Sequence, residues 1–167
     1  SYTIYNKLIK MIGVKLRSEK EIYDFLIKRD IKESDINSII LNFTYTRIIE
    51  LIKTREKENV KIIIFGISYK PNIGDLRESP FVKLVKKLRK DNNIELIIID
   101  PLVKEKSIEG NIVHDSYNTL DIQTSDLTIL GTAHSCFDLE LIFNESNKIF
   151  DIKNVFKDKN SPKVIKL

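Results

Sequence analysis

Apolar residues in this chain recur in two distinct rhythms, and the change from one to the other divides it near residue 58. Before that point the spacing is helical. Ile22, Phe25 and Leu26 stand three and four apart within Lys20 to Lys28, and Ile36, Ile39 and Ile40 do the same within Glu33 to Leu41. A third stretch, Thr44 to Glu58, puts Ile48, Leu51 and Ile52 on one face and Arg47, Lys53, Arg55 and Lys57 mostly on the other, with Thr44 as N-cap. The pattern thus predicts three helices in a small helical segment, residues 1–58.

From Lys61 onward the apolar residues come in short, continuous, β-branched runs closed by Gly or Asp. Lys61 to Gly66, Glu95 to Asp100, Asp126 to Gly131 and Lys148 to Ile152 read as buried parallel strands, and Asn111 to His114 as a weaker one. The apolar tail after the polar stretch Lys157 to Pro162 is either a last strand or a frayed end. Between the first two strands, Ser79 is a good N-cap and Pro80 suits the first helical position. Phe81, Leu84, Val85 and Leu88 then form a single helical stripe. Strand, helix, strand of these lengths makes a right-handed βαβ unit. Its repetition over residues 59–167 predicts an α/β domain with an open, mostly parallel, doubly wound sheet.

Composition narrows the function classes. At 167 residues, 42% hydrophobic and 31% charged, the chain can bury one core plus a small appendage. The net charge of +4 comes from 28 basic residues interleaved with 24 acidic ones, a mixed surface rather than a nucleic-acid footprint. One cysteine, Cys136, excludes an internal disulfide and a multi-thiolate metal site, which fits a reducing, cytoplasmic setting. No apolar run reaches the roughly 20 residues of a membrane span.

In open α/β sheets ligands bind beyond the carboxyl ends of the strands, so the loop after the first strand is the first candidate. Its glycines, Gly66 and then Gly74, do not make a dinucleotide fingerprint. It offers instead Tyr69, Lys70, Asp75, Arg77 and Glu78. Lys70 as a point cation and Arg77 as a planar fork suit a diphosphate, or one phosphate from each of two ligands. The plainer alternative is that Arg77 pairs with Asp75 or Glu78 and merely fixes the loop.

The run Phe65-Gly-Ile-Ser-Tyr-Lys-Pro-Asn-Ile-Gly-Asp-Leu-Arg-Glu-Ser-Pro80 resembles the opening of the C-terminal domain of the UDP-glucose/GDP-mannose dehydrogenase family. That opening reads Gly-Leu-Ala-Tyr/Phe-Lys-Pro, a short acidic stretch, then Asp-Leu-Arg-Glu-Ser-Pro. Asp100-Pro101, Asp126 to His134 and Asp151-Ile-Lys-Asn-Val155 resemble the family's later motifs, so the likeness runs from about Val60 to Phe156. The Thr44 to Glu58 helix resembles the end of the family's central, dimerising helical domain, and residues 1–43 align with nothing.

This resemblance implies a Rossmann-like fold and an NAD-dependent enzyme that oxidises the C6 alcohol of a UDP-sugar through a cysteine thiohemiacetal in its central part. It implies substrate contacts at Tyr69, Lys70 and Lys153, and a contact with NAD across the cleft at Arg77. It also implies a homo-oligomer in the full enzyme, a role in polysaccharide biosynthesis, and NAD bound mainly by another domain. Lys153 stands where the family usually has Arg, keeping the charge without the bidentate fork. The loop wording is most similar to the UDP-N-acetylmannosamine dehydrogenase branch, with UDP-glucose dehydrogenase next.

No catalytic residue is assigned, because the family's Gly-Gly-Ser-Cys-Phe-Pro-Lys-Asp motif has no counterpart here. Cys136 is expected to fill space or edge the cleft, and His134 and His114 to be structural. A start at Ser1 rather than Met suggests a portion of a longer enzyme. The alternative is a standalone, non-catalytic module that binds a nucleotide sugar or assembles with a partner, and a receiver-like signalling domain is a weaker third.

Overall fold

The computed structural model describes residues 19–53 and 57–167. The predicted 1–58 segment therefore lies partly outside the described residues, as does the Thr54 to Glu56 part of its third helix. The elements run α1 (Glu19–Ile27), α2 (Glu33–Lys53), β1 (Val60–Phe65), α3 (Pro80–Leu88), β2 (Ile94–Ile99), β3 (Ser107–Ile108), β4 (Asn111–His114), α4 (Thr119–Gln123), β5 (Leu127–Leu130), α5 (Leu139–Glu145), β6 (Ile149–Asp151) and β7 (Val164–Lys166).

The seven strands form one sheet in the order β3-β4-β2-β1-β5-β6-β7. Every neighbouring pair is parallel except β3 with β4. Helices cover both faces, which makes it the doubly wound, Rossmann-like architecture. Alternation along the strands divides the core. Ile62, Ile64, Ile98, Ile129 and Phe150 face α1, α2 and α3, while Ile63, Phe65, Ile99, Leu130 and Ile149 face α4 and α5. With both faces dry, the central strands are apolar at nearly every position, the reason for continuous rather than alternating runs.

Two of the predicted helices are one. Glu33 to Leu41 and Thr44 to Glu58 merge into the 21-residue α2, because Asn42-Phe43 holds neither Gly nor Pro to stop the helix. Its buried seam is Ile36, Ile40, Thr44, Ile48 and Ile52. Thr44 therefore lies mid-helix in that seam and caps nothing. The same seam joins the core under the sheet, so α1, α2 and the sheet share one apolar cluster.

Helix α3 matches its signature: Ser79 Oγ accepts from the Phe81 N–H, Pro80 opens the helix, and Phe81, Leu84, Val85 and Leu88 are buried. The apolar tail resolves to β7. Between β2 and β4 the chain makes the short β3 hairpin instead of a crossover helix. A groove of about 410 Å³ remains there, lined by Glu95, Ile97, Ile112, His114 and Asp121 among others, and no predicted site residue borders it.

Candidate functional site

Strand order reverses direction at β1. From β1 the chain moves to β2 and β4 on one side, then returns to β5, β6 and β7 on the other. The carboxyl ends of β1 and β5 thus border the crevice of an open α/β sheet, and the β1–α3 loop carrying Tyr69, Lys70 and Arg77 opens onto it. Lys153 follows β6, the next strand over.

The two loops approach at backbone distance. Gly66 has φ +78°, and a Cβ there would overlap the Thr132 carbonyl after β5, so only glycine serves. Gly74 likewise presses on the Leu102 carbonyl after β2, where a Cβ has no room. Beneath them lies a buried polar cluster that the strand ends supply jointly. Asp100, 1% exposed, closes β2, and its Oδ2 accepts the N–H of Ile67 at 2.9 Å and of Ser68 at 3.1 Å. Its Oδ1 accepts the N–H of Leu102 at 3.1 Å. His134, also 1% exposed, comes from the loop after β5 and places Nε2 3.0 Å from Asp100 Oδ1 and 3.2 Å from Ser68 Oγ. Its Nδ1 accepts the N–H of Asn72 at 2.9 Å. Thr132 Oγ1 donates to the Ser68 carbonyl and Ser79 Oγ to that of Ile67.

Above this base the predicted binding residues are displayed differently. Lys70 is exposed, with its ammonium 5.3 Å from the Tyr69 ring centroid. Among the described residues no carboxylate is within ion-pair distance of it, Asp75 and Glu78 included. Tyr69 is 49% exposed, and Ile73 at 52% and Leu102 at 37% add apolar surface to the same loops.

Arg77 is held locally. Its Nε and Nη2 grip the Asp75 carboxylate at 3.0 and 2.8 Å, and its backbone N–H donates to Asp75 Oδ1 at 2.9 Å. These bonds draw the Asp75 carboxyl down to about 2 and raise the guanidinium. The plainer alternative for Arg77, pairing with Asp75, is the arrangement present. Its side chain is nonetheless 89% exposed, so the outer edge of the guanidinium faces solvent.

Lys153 is bound to Glu19 at the start of α1 by a 2.8 Å ion pair and lies 5.5 Å from the Phe81 ring centroid. The turn carrying it is clamped by Asp151, whose carboxylate accepts the N–H groups of Val155 at 2.9 Å and Phe156 at 2.8 Å. Asn154 in that turn has φ 57°. Lys153 thus approaches the N-terminus of α3, and Lys70 the start of the loop that leads into it.

Cys136 is exposed, whereas both ring nitrogens of His134 point inward to the Asp100 cluster and to Asn72. The pair does not form a thiolate–imidazole device. Among the described residues no group of three or more His, Cys, Asp or Glu could hold a metal ion. The site can therefore grip an anion and stack a flat or apolar group, and among the described residues Cys136 and His134 do not form a nucleophile–base pair. The family motifs point to Tyr69, Lys70, Arg77 and Lys153 but not to the Asp100–His134–Ser68 base. The available signal was an Asp and a His each just beyond the carboxyl end of a predicted strand.

A sequence model described as the UDP-glucose/GDP-mannose dehydrogenase family, UDP binding domain, matches residues 63–158. The UDP-N-acetyl-D-mannosamine dehydrogenase of Methanococcus aeolicus is 30% identical over 128 residues, which cover 77% of this chain and 27% of that protein. The enzyme of the same name from Campylobacter jejuni is 35% identical over 60 residues, 35% of this chain and 15% of that one. Among solved structures, the UDP-N-acetyl-mannosamine dehydrogenase Cap5O of Staphylococcus aureus superposes with TM-score 0.62 at 24% identity, covering 79% of this chain and 31% of that one. The GDP-mannose dehydrogenase of Pseudomonas aeruginosa gives 0.56 at 19% identity, over 87% and 36%. At these identities the superpositions speak for the fold alone. The chain spans roughly a quarter to a third of the length of the relatives that it matches most extensively.

Proposed function

The chain belongs to the UDP-glucose/GDP-mannose dehydrogenase family, and from that premise we propose that it is the nucleotide-sugar-binding portion of an NAD-dependent UDP-sugar 6-dehydrogenase. In this reading the enzyme oxidises the C6 alcohol to a uronic acid for polysaccharide biosynthesis, as a cytoplasmic homo-oligomer. The relatives named above favour UDP-N-acetylmannosamine over UDP-glucose as substrate.

The observation that carries the proposal is the display of Lys70. An ammonium with no carboxylate partner among the described residues, beside an exposed tyrosine at the strand-order reversal, is placed to meet a diphosphate. Tyr69 gives the nucleotide a flat apolar flank. Lys153 adds a second cation once a phosphate competes for it with Glu19.

NAD would accept the hydride in such an enzyme, but these residues do not fit a dinucleotide cradle. The space at Gly66 is filled by the Thr132 carbonyl, and the loop beyond it lacks the glycine spacing. Arg77 is the one residue here assigned toward the cofactor, through the outer edge of its guanidinium. The work of this chain is accordingly to hold and orient the substrate's diphosphate.

Calorimetric titration of UDP, UDP-N-acetylmannosamine, UDP-glucose and GDP-mannose into the parent chain and Lys70→Ala tests the reading. Loss of one charge-assisted hydrogen bond predicts UDP binding weakened roughly tenfold to a hundredfold. The melting temperature should stay nearly unchanged, since Lys70 is exposed. Equal affinities for parent and variant would remove Lys70 from the site.

A further inference from the structure

The Lys70 loop is not free to choose its shape, and the group that constrains it is a buried imidazole. Nδ1 of His134 faces the backbone N–H of Asn72, which can only donate. That nitrogen must therefore be the acceptor, and the ring proton sits on Nε2. There it points at Asp100 and Ser68 Oγ, 3.0 and 3.2 Å away. The carboxylate can only accept, so the assignment is consistent on both sides of the ring. His134 is the neutral Nε2–H tautomer, fixed by one donor and one acceptor that the backbone and Asp100 supply.

The consequence falls on Lys70. Its own carbonyl accepts from Ser68 Oγ at 3.1 Å, and two residues on, Asn72 is pinned by the imidazole. The Asn72 side chain then accepts from the N–H and Oγ of Ser135, both at 2.8 Å, fastening this loop to the one after β5. Asn72 adopts φ 63°, a conformation that these contacts on both its backbone and side chain stabilise. Lys70-Pro71 is thus bracketed on both sides by bonds that trace to His134 and its partner Ser68.

We infer that His134 is a positioning residue for the anion site: as its Nε2–H tautomer it holds the Lys70-Pro71-Asn72 turn, and so sets where the Lys70 ammonium stands. This rests on the reading that Lys70 meets a UDP phosphate, and it assigns His134 no contact with substrate.

Two variants separate positioning from simple stabilisation, because each keeps one half of the imidazole's bonding. An Asn side chain in His134→Asn can present an oxygen near the place of Nδ1 and still accept from Asn72. A Gln side chain in His134→Gln can present an N–H near the place of Nε2 and still donate to Asp100, but leaves the Asn72 N–H without its acceptor. Calorimetric titration of UDP is made with the parent, both variants, Lys70→Ala, and the double variant His134→Gln/Lys70→Ala. Expected is a loss of about tenfold in UDP affinity for His134→Gln and less than about threefold for His134→Asn, at comparable melting temperatures. His134→Gln should then add almost nothing in the Lys70→Ala background, the non-additivity of groups acting together.

Losses that add in full, or affinities that follow the melting temperatures of the two variants, overturn the inference. Ring ¹⁵N shifts of the parent give a second, ligand-free reading: a protonated Nδ1 overturns it as well. Amide exchange at Asn72 gives a third, with faster local exchange expected in His134→Gln and not in His134→Asn. A parent chain that binds no UDP would refute the proposed function, while the nitrogen shifts and the Asn72 exchange would still decide the role of His134.

Discussion

Replacing Asp100 by Asn changes one atom and should be among the most damaging substitutions in the chain. All four groups around this carboxylate are donors: the N–H of Ile67 and Ser68 on Oδ2, the N–H of Leu102 on Oδ1, and His134 Nε2, which lies 3.0 Å from Oδ1 and 3.1 Å from Oδ2. An amide must turn its NH₂ toward one of these pairs. Either way two N–H donors meet another donor and at least one of them is left without an acceptor, in a site only 1% exposed. His134 cannot yield by changing tautomer, because a proton on Nδ1 would confront the Asn72 N–H. Two hydrogen bonds to a charged acceptor correspond to about 3–6 kcal/mol. Relief from burying a charge returns part of it, leaving roughly 2–4 kcal/mol net. In a domain of this size that lowers Tm by about 4–16 °C. Urea unfolding followed by circular dichroism measures it, with Asp115→Asn as control. Asp115 is 67% exposed and among the described residues pairs only with Lys106 at 3.3 Å, so its loss should stay under about 1 kcal/mol. A loss below about 1 kcal/mol for Asp100→Asn as well would refute the hydrogen-bond accounting on which the His134 tautomer depends.

Leu84→Ala, which empties a side chain 1% exposed under α3, should cost about 2–5 kcal/mol in the same unfolding assay, and a near-neutral result would contradict the packing described. Glu19→Gln releases Lys153 from its 2.8 Å partner and should tighten UDP binding about twofold to fivefold, a gain that Lys153→Ala in the same background must erase. Asp75 should titrate with a midpoint near 2 by carboxyl ¹³C NMR, against an ordinary value of 3.8, because Arg77 stabilises its ionised form. Since the folded value lies below the unfolded one, the pair's contribution is complete above about pH 4 and fades as pH falls through 2. A midpoint near 3.8 would show the Arg77 bonds to be absent in solution.

The central strands and α3 were legible because each has a local cause: an unbroken β-branched run that only a doubly covered strand explains, or a Ser-Pro start followed by a single apolar stripe. The sequence pattern divides helix α2 in two because Thr44 is a good N-cap residue for the second half. Burial of Thr44 in a five-residue seam is a tertiary fact. Helix α4 spans five residues, too few for a period, and rests on a reciprocal cap between Asn118 and Asp121. Strand β3 has two residues, whose pairing with Ile112 and Asn111 comes from the hairpin rather than from any run of their own. The exposed half of the candidate site follows one contiguous motif and could be read in order. Its buried half joins residues 68, 72, 100 and 134, and no spacing along the chain announces that meeting. His134 and Cys136 stand two apart in the chain, yet the imidazole turns inward to Asp100 and Asn72 while Cys136 is exposed.

The fixed shape of the Lys70 loop bears on the entropy of association. Ordering a residue's backbone takes about 1–2 kcal/mol at room temperature, and a loop left loose until the ligand arrives charges that amount against affinity. Here Ile67, Ser68 and Asn72 are already tied by hydrogen bonds to Asp100 and His134, so that ordering is complete when the chain folds. On the proposed function, ligand capture then requires little beyond settling the Lys70 and Tyr69 side chains. Association should accordingly carry a small conformational-entropy penalty and proceed without a slow loop-closing step.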